Sequence, residues 1–501
     1  MVFNTDDYKN KVLGCWMGKN IGGTLGMPME WVRQVNDVSF FPESVITAGA
    51  PLANDDLDLQ LIWLIAMEER GIDIDAAVLG EYWLAYISPH WAEYGKSKAN
   101  MRAGLMPPLS GMVDNAWKNS NGAWIRSEIW ACVAPGCPKI AAKYAYEDAI
   151  VDHGDGEGMY GAVFCAAVES AAFVEGDTHK LIEIGLSFIP ENCGVARAIA
   201  CAIKCHKSGK TWLEARHELL VGHRGHAPGW GPNTISDADR ANGFFEGEWG
   251  YDAPLNIAII ILGWLYGDGD FEKSLLITVN CGEDTDCTAG TFGAIYGIIH
   301  GIDGIPEKWK TPIGRVIKTV SLNLGDLGYL GDQLPQDIDA LTERTLKISR
   351  QVLARHAAYV KITGEATDTK NARDLKSPNR GADIYRNLRG PVYKSPMADV
   401  LVEYPEGAFV RDGQQVKINL RIISKHKIPQ RHNLHVYAPD VWAVGPAKKG
   451  KVPADGFVEL HFMAPEVPEN VNRFAVELTA DGTATVMLVP LALFNGNLSK
   501  T

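Results

Sequence analysis

The length, composition and charge of the chain exclude several broad classes of protein. A chain of 501 residues is too long for one ordinary hydrophobic core, and a hydrophobic content of 46% excludes general disorder. The formal net charge of -13 argues against nucleic-acid binding, because a phosphate backbone requires clustered lysine and arginine. We therefore expect two domains, one of them large, and a small-molecule substrate.

The N-terminus and the cysteines bear on the compartment. The opening residues, MVFNTDDYKN, carry neither a basic leader nor an apolar run, so they lack the pattern of a signal peptide. The nine cysteines are scattered and do not form a disulfide framework. No stretch approaches the roughly 18 apolar residues that a membrane helix needs. These patterns predict a cytoplasmic protein that does not contact a membrane.

From residue 8 to about residue 357 the sequence predicts helix after helix. Apolar residues recur at spacings of three and four, and Gly and Pro mark the turns. The clearest helical segments are 57–70, 159–174, 194–207, 256–266 and 288–300. Several are rich in Ala and Gly, which allows helix backbones to approach closely. We expect a large all-α domain over residues 1–363.

The pattern changes after residue 363. Residues 364–394 are mostly polar, contain a Ser-Pro step and show no sustained helical face, so they are predicted to be a linker. Residues 395–501 then alternate apolar and polar positions between Pro, Gly, Asn and Asp turns. The predicted strands are 400–404, 415–423, 433–439, 457–465, 473–480 and 483–493. We expect a small β-sandwich.

The first acidic cluster lies at residues 54–58, where a Gly- and Pro-bearing loop leads into a predicted helix. Asn54 is suited to cap that helix, and acidic residues are stabilised in a first helical turn. Capping explains one acidic residue well and the three acids Asp55, Asp56 and Asp58 less well. Adjacent aspartates repel each other, and a bound cation is the usual reason for keeping them together.

A second acidic cluster, CGEDTDCTAG at residues 281–290, repeats the same loop-to-helix arrangement. Asp284 and Asp286 flank Thr285 and can point to one side of an extended turn. Carboxylates from two helix N-termini suit a hard cation such as Mg²⁺ or Mn²⁺, which prefers oxygen ligands. The two clusters together predict a shared metal site of one or two ions.

Residues 11–355 resemble the ADP-ribosylglycohydrolase family, also called the dinitrogenase-reductase-activating glycohydrolase fold. The segment KVLGCWMGKNIGGTLGMPMEW is similar to the family's opening helix and glycine-rich turn, which ends in an acidic residue, here Glu30. The family's two aspartate motifs fall on residues 54–56 and 283–287. The most diagnostic segment is AGTFGAIYGIIHGIDGIPEKW. The added β domain is not part of the resemblance.

The resemblance implies a hydrolase in which two metal ions orient ribose hydroxyls at the scissile anomeric carbon. The implied metal ligands are Asn54, Asp55, Asp56, Asp284 and Asp286. The candidates for proton transfer are Glu30, Asp56 and Asp284. The expected activity is cleavage of an N- or O-glycosidic bond to ADP-ribose or a ribose-like sugar.

The sequence departs from the family pattern at two positions in these motifs. Asn54 stands where a hydroxyl residue is expected, and its amide oxygen is still a ligand for a hard cation. Cys287 replaces a second hydroxyl residue, and a soft thiol is poorly matched to Mg²⁺. One metal is therefore expected to be weakened or lost, or to be held by Thr285 or Thr288, and the substrate is expected to differ from an ADP-ribosylated protein.

Other polar and aromatic residues are candidates for substrate contact. His153 begins a helix in HGDGEGMYGAV, and Arg126 and Glu128 lie in a Gly- and Pro-rich stretch suited to hold a sugar or phosphate. Helix capping for the histidine and salt bridging for the other two are the structural alternatives. A further set can stack on a sugar or base or can belong to the core: Trp230, Trp249 and Tyr251.

Two other functions are left open. One is a glycoside hydrolase acting on a non-nucleotide glycan, since an appended β domain suggests contact with a glycan, a protein or a second copy of the chain. The other is a degenerate protein that binds a nucleotide or glycan without turnover. The sequence contains neither a P-loop nor a serine-hydrolase elbow.

Overall fold

The computed structural model describes residues 1–30, 32–224, 234–235, 250–322, 331–385, 389–427, 431–453 and 455–496. Helices in the N-terminal part are α1 Thr5–Gly26, α2 Glu43–Ala48, α3 Asp55–Arg70, α4 Ala76–Tyr86, α5 Ala92–Ala103, α6 Leu109–Met112, α7 Glu128–Val133, α8 Pro138–Ala149, α9 Glu157–Ala172, α10 Thr178–Leu186, α11 Gly194–Lys207, α12 Trp212–His223, α13 Ala253–Tyr266, α14 Phe271–Asn280, α15 Thr285–His300, α16 Glu307–Lys310 and α17 Ile338–His356. Short 3-10 helices span Met27–Met29, Trp124–Arg126, Ile302–Gly304 and Gly331–Gln333.

The prediction of a large helical domain followed by β structure is confirmed, with one addition. Two short parallel strand pairs lie in the helical domain: β1 Val2–Asn4 with β4 Lys361–Thr363, and β2 Val32–Arg33 with β3 Thr234–Ile235. The chain as a whole is therefore not all-α. The five helices predicted most clearly are α3, α9, α11, α13 and α15, and each observed end lies within three residues of its prediction.

Helices α1 and α15 pack backbone to backbone through a repeat of small residues. Glycines recur at every fourth position of α1, which places them on one face of the helix. A Cβ atom at Gly18 would overlap the carbonyl oxygen of Gly293, and one at Gly22 would overlap that of Ala289. At the end of this contact the Thr285 hydroxyl donates to the Gly26 carbonyl at 2.8 Å. The helix contact thereby sets the first turn of α15 beside the C-terminus of α1.

Replacing Gly18 by Ala is expected to lower the free energy of unfolding by about 3 kcal/mol or more, because the added methyl group meets backbone that cannot rotate away. Denaturant unfolding measures this change. Gly222→Ala is the matched control, since Gly222 lies in α12 and a Cβ there has no neighbour within 4 Å. That control should be neutral or slightly stabilising. Equal effects of the two substitutions would contradict the helix contact.

The C-terminal domain consists of two five-stranded sheets that share one apolar core. Its strands are β5 Val392–Lys394, β6 Ala398–Glu403, β7 Phe409–Val410, β8 Gln415–Ser424, β9 His432–Tyr437, β10 Ala443–Gly445, β11 Lys449–Val452, β12 Gly456–Met463, β13 Val471–Ala480 and β14 Val486–Asn495. The sheet orders are β10-β12-β8-β6-β5 and β11-β9-β13-β14-β7, and all neighbours are antiparallel except β14 and β7. Alternating burial along β13 and β8 matches the predicted pattern.

The segment predicted as a linker follows the surface of the helical domain. The Tyr385 hydroxyl donates to the Phe188 carbonyl at 2.8 Å, and its ring lies edge-on to that of Tyr146. The first sheet strand begins at Val392, inside this segment. A small apolar cluster, Leu105 and Leu109 with Ala408 and Ala492, joins the domains beside a cleft of about 480 Å³. None of the helices in the described part of the chain combines the length and the apolar composition of a membrane span.

Candidate active site

The two acidic clusters meet because α3 and α15 both begin at the same cavity. The Asn54 side chain accepts a hydrogen bond from the Asp56 amide at 2.8 Å, so it caps α3 as predicted. Its amide nitrogen donates across to Oδ2 of Asp286 at 3.2 Å. This bond joins the first turns of two helices that lie far apart in the chain. Asn54 therefore both caps α3 and links the two acidic clusters.

The cavity has a volume of about 270 Å³, room for a sugar ring and its substituents. Its acidic wall contains Glu30, Asp55, Glu93, Asp284 and Asp286. Its aromatic wall contains Trp91, Tyr94, Trp117 and Tyr251. Tyr251, which the sequence offered as a stacking candidate, therefore lines the cavity. The other two candidates, Trp230 and Trp249, lie outside the described residues.

Three carboxylates of the acidic wall are close enough to share one ion. One oxygen from each of Glu30, Asp284 and Asp286 lies within 4.8 Å of the other two. Oδ2 of Asp284 accepts from Asn121 at 2.7 Å, but Oδ1 of Asp284 and Oδ1 of Asp286 are buried and have no hydrogen-bond partner in the described part of the chain. Buried carboxylate oxygens normally have partners. The unpartnered pair therefore fits a hard cation.

Burial raises the pKa values of these acids, and neighbouring carboxylate charges add to the shift. Burial, followed by the charges of Asp286 and Asp284, raises the pKa of Glu30 well above its usual range. Burial likewise raises the pKa of Asp286, with the Asp284 charge adding to it. Burial raises the pKa of Asp284 to about 6, although the hydrogen bond from Asn121 opposes the shift. The acids are thus costly to ionise together without a bound cation.

The metal-free protein is expected to lose stability as pH rises from about 4 to 6. A carboxyl whose pKa is raised by folding binds its proton more tightly in the folded state, so its contribution is full below the unfolded value near 3.9 and is lost as pH passes the folded value. For Asp284, with a folded pKa of about 6, the loss is on the order of 3 kcal/mol. Thermal unfolding in EDTA measures it.

Asp284→Asn isolates this effect from other titrations. The difference in melting temperature between the variant and the unchanged protein, both in EDTA, should grow in favour of the variant between pH 4 and pH 6. Excess Mn²⁺ should reverse the difference above pH 6, since only the unchanged protein keeps the full ligand set. A difference that does not change with pH would refute the assignment of the raised pKa to Asp284.

Asp56 lies behind the cavity, in an ion-pair network with Lys19. The Lys19 ammonium nitrogen lies 3.0 Å from Asp56 Oδ2 and 2.8 Å from Glu128 Oε1. It also donates to the Ile125 carbonyl at 2.6 Å and to the Thr291 hydroxyl at 3.2 Å. Burial lowers the pKa of Lys19, but the two carboxylates outweigh it and raise the pKa overall. Glu128 is therefore occupied with Lys19, not placed on the cavity as predicted for substrate binding.

Arg126 was also predicted to contact substrate, and the structure places it in the core. Its guanidinium nitrogens lie 3.0 Å from Asp148 and 2.8 Å from Asp152, and its side chain has no exposed surface. The guanidinium also lies over the Trp83 ring, 5.1 Å from its centroid. All of these partners are buried, so Arg126 can affect the site only through the packing of residues 120–126.

His153, the remaining predicted substrate contact, does not line the cavity but contacts a residue that does. Its Nδ1 is 2.9 Å from Asp152 Oδ1, and its Nε2 is 3.1 Å from the Ser120 hydroxyl. Ser120 itself lines the cavity, whereas His153 is fully buried. The carboxylate holds the imidazole in place. The structure therefore assigns His153 to the support of Ser120 and not to direct substrate contact.

The loop before Asp284 is held by a second set of ion pairs. Glu283 has a φ of 69°, in the left-handed region that favours glycine. Its carboxylate lies 3.2 Å from Arg33 and 2.9 Å from Arg224. These pairs offset the backbone strain, which costs roughly 1–3 kcal/mol. They also fix the direction in which Asp284 enters the cavity.

Several cavity residues were not predicted from the sequence. Tyr94 donates to Asp55 Oδ2 at 2.8 Å, and Asn121 donates to Asp284. Glu93 and Tyr94 belong to α5, and Asn121 belongs to a loop. The Trp-Ala-Glu-Tyr-Gly segment at 91–95 is the one local signal, because it places aromatic and acidic residues beside a glycine. No local feature of the sequence indicates that these segments lie beside the aspartates.

Comparison with known proteins gives the following matches. The family model described as ADP-ribosylglycohydrolase matches residues 4–350. A solved structure titled "ADP-ribosylglycohydrolase-related protein complex" is 17% identical, with 69% of this chain and 99% of that chain covered and a TM-score of 0.39. A FixG-related protein from Vibrio parahaemolyticus is 13% identical, with 20% and 99% covered and a TM-score of 0.17. None of the curated proteins compared matches the chain.

Proposed function

Because this chain belongs to the ADP-ribosylglycohydrolase family, we propose that it is a metal-dependent hydrolase that cleaves an N- or O-glycosidic bond to ADP-ribose or to a ribose-like sugar. The main support for the proposal is the acidic wall of the cavity, where one carboxylate oxygen from each of Glu30, Asp284 and Asp286 lies within 4.8 Å of the other two. Two of their buried oxygens have no hydrogen-bond partner among the residues that the structure describes. Such a set of oxygens suits Mg²⁺ or Mn²⁺.

The chain's own residues would hold the cation and orient the sugar. Glu30, Asp284 and Asp286 supply carboxylate oxygens, and Asn121 and Asn54 fix two of those carboxylates by hydrogen bonds. When bound, a divalent cation polarises substrate oxygens and lowers the pKa of a bound water. The aromatic wall excludes bulk water and covers the faces of the sugar ring.

The carboxylates also suit the charge that develops during glycosidic bond cleavage. The transition state resembles an oxocarbenium ion, with positive charge at the anomeric carbon. Asp55, which lines the cavity and accepts a hydrogen bond from Tyr94, is placed to stabilise that charge. In this proposal Glu30 accepts the proton of the attacking water, because it belongs to the ion-binding carboxylates and also lines the open cavity.

A panel of substrates tests the proposal. Product release is measured from ADP-ribosyl-arginine, ADP-ribosyl-serine, O-acetyl-ADP-ribose and furanoside glycans, each with Mg²⁺, with Mn²⁺ and with EDTA. We expect hydrolysis of at least one substrate with a cation and loss of hydrolysis in EDTA. Full hydrolysis in EDTA would contradict metal dependence. Binding of a panel member without any turnover would instead support a degenerate binding protein.

One observation favours a non-nucleotide glycan as the second candidate substrate. Among the described residues that line the cavity, none is Lys, Arg or His. A diphosphate normally requires such a partner, whereas a neutral sugar is bound by carboxylates, amides and aromatic rings. Trp91, with 40% of its surface exposed, stands at the edge of the cavity. Faster hydrolysis of the furanosides than of the ADP-ribosyl compounds would select this candidate.

A further inference from the structure

The carboxylate site offers two adjacent positions for a cation. In the described part of the chain, two groups of three ligating atoms around this site each lie within 4.8 Å of one another. The first group is Glu30, Asp284 and Asp286, and the second is Asp56, Asp286 and Cys287. Asp286 belongs to both groups.

The two positions differ in chemistry. The first consists entirely of carboxylate oxygens, and no described residue forms a hydrogen bond with Oδ1 of Asp284 or Oδ1 of Asp286. The second includes a thiol, which is a poor ligand for a hard cation. Both oxygens of Asp56 are also engaged, since Oδ2 lies 3.0 Å from Lys19 and Oδ1 accepts the Cys287 thiol at 3.5 Å. The first position therefore keeps two carboxylate oxygens open to an ion, whereas the second depends on the shared Asp286 and on Asp56, which is already ion-paired with Lys19.

Lys19 cannot easily move away to release Asp56. Its side chain has 2% of its surface exposed, and four oxygens surround its ammonium group. Its methylene chain passes Gly290, where a Cβ atom would come within 3.3 Å of Lys19 Cδ. Among the described residues, Lys19 is also the basic side chain that forms an ion pair with a carboxylate of these two groups, that of Asp56. Its positive charge is thus a built part of the site.

We propose that the ammonium group of Lys19 takes the place of a second metal ion, so that the site holds a single divalent cation at Glu30, Asp284 and Asp286. This inference rests on the proposed function and adds the number of metals and the residue that limits it. Lys19 is a positioning residue, because it acts through Asp56 and does not reach the cavity. Its charge would remain in place when a chelator removes the metal.

The metal content of the unchanged protein tests the proposal directly. The full chain is stripped with EDTA, titrated with Mn²⁺ and examined by metal analysis and electron paramagnetic resonance. We expect one Mn²⁺ per chain and the hyperfine spectrum of an isolated ion. Two ions per chain with an exchange-coupled spectrum would overturn the role of Lys19 and leave the proposed function standing. No bound Mn²⁺ would overturn both.

Substitutions then show which residue limits the number of ions. Lys19→Met removes the charge and keeps an unbranched side chain, and we expect a second Mn²⁺ with exchange coupling. Lys11→Met is the matched control, since Lys11 lies on the same helix and its ammonium donates to the carbonyls of Ile298 and Ile299. It should keep one ion. If Lys19→Met folds and still binds one ion, Lys19 is not the limiting group.

Cys287→Thr separates the thiol from the ammonium. It introduces a hydroxyl ligand while Lys19 remains, so we expect one Mn²⁺ per chain. Two ions in this variant would assign the limit to Cys287 and overturn the proposal. If Lys19→Met does not fold, the metal content of the unchanged protein and of Cys287→Thr still decides the question.

Discussion

Replacing Asp286 by Asn is expected to abolish the binding of divalent cations and to lower kcat/KM by about a thousandfold or more. Asp286 belongs to both groups of ligating atoms, and a cation contributes several kcal/mol to transition-state stabilisation. The variant keeps the side-chain volume and can still accept from Asn54. Since it removes one buried negative charge, its melting temperature in EDTA should rise while stabilisation by Mn²⁺ disappears.

Asp58→Asn is the matched control for this substitution. Asp58 is fully buried in the first turn of α3, but its Oδ2 accepts from the amides of Val320 and Ser321 at 2.6 and 2.7 Å. Binding of Mn²⁺ should therefore survive in this variant. Titration calorimetry and the substrate panel compare the two proteins. Unchanged Mn²⁺ affinity in the Asp286 variant would show that the acidic wall of the cavity is not the metal site.

Replacing Arg126 by Met is expected to destabilise the protein by about 3–5 kcal/mol, or to prevent folding, because it leaves two buried carboxylates without their cation. At roughly 2–4 °C per kcal/mol, the melting temperature should fall by about 10 °C. The KM of any folded variant should change little, since Arg126 has no exposed surface. Thermal unfolding and steady-state kinetics measure the two effects separately.

Arg102→Met provides the comparison. Arg102 is exposed on α5, and its substitution should change stability by no more than about 0.5 kcal/mol. A folded Arg126 variant with an unchanged melting temperature and a raised KM would restore the substrate contact predicted from the sequence. Loss of stability without a change in KM would establish the structural role.

The order of helices and strands could be predicted because each depends on residues close in sequence. The apolar periodicity of α3 and α11 placed both helices, and the alternation along β8 and β13 placed the strands. Helix starts were less accurate. The structure begins α15 at Thr285, three residues before the predicted start, because polar residues of a first turn carry no apolar signal.

The candidate site could be predicted only in part. The paired aspartates and Glu30 stand out because their spacing and the family resemblance both mark them. The structure brings Glu30, Asp55, Asp284 and Asp286 to one cavity. The role assigned to Arg126 depended on loop composition, and the role assigned to His153 depended on its position at a predicted helix start. Composition does not reveal that Asp152 lies beside both of them. Burial by distant partners is a property of the folded chain.

The sequence by itself determined the family, the helical domain followed by β structure, and the two acidic helix starts, because each is encoded within a short segment. Only the tertiary structure decided which acids face the cavity and which are neutralised behind it. Asp55 lines the cavity, while its neighbour Asp56 points to Lys19. Adjacent residues at a helix start point in different directions, so the partner of each depends on which other helix packs there. The glycine-lined contact of α1 with α15 brings Lys19 to that position and distinguishes the two aspartates.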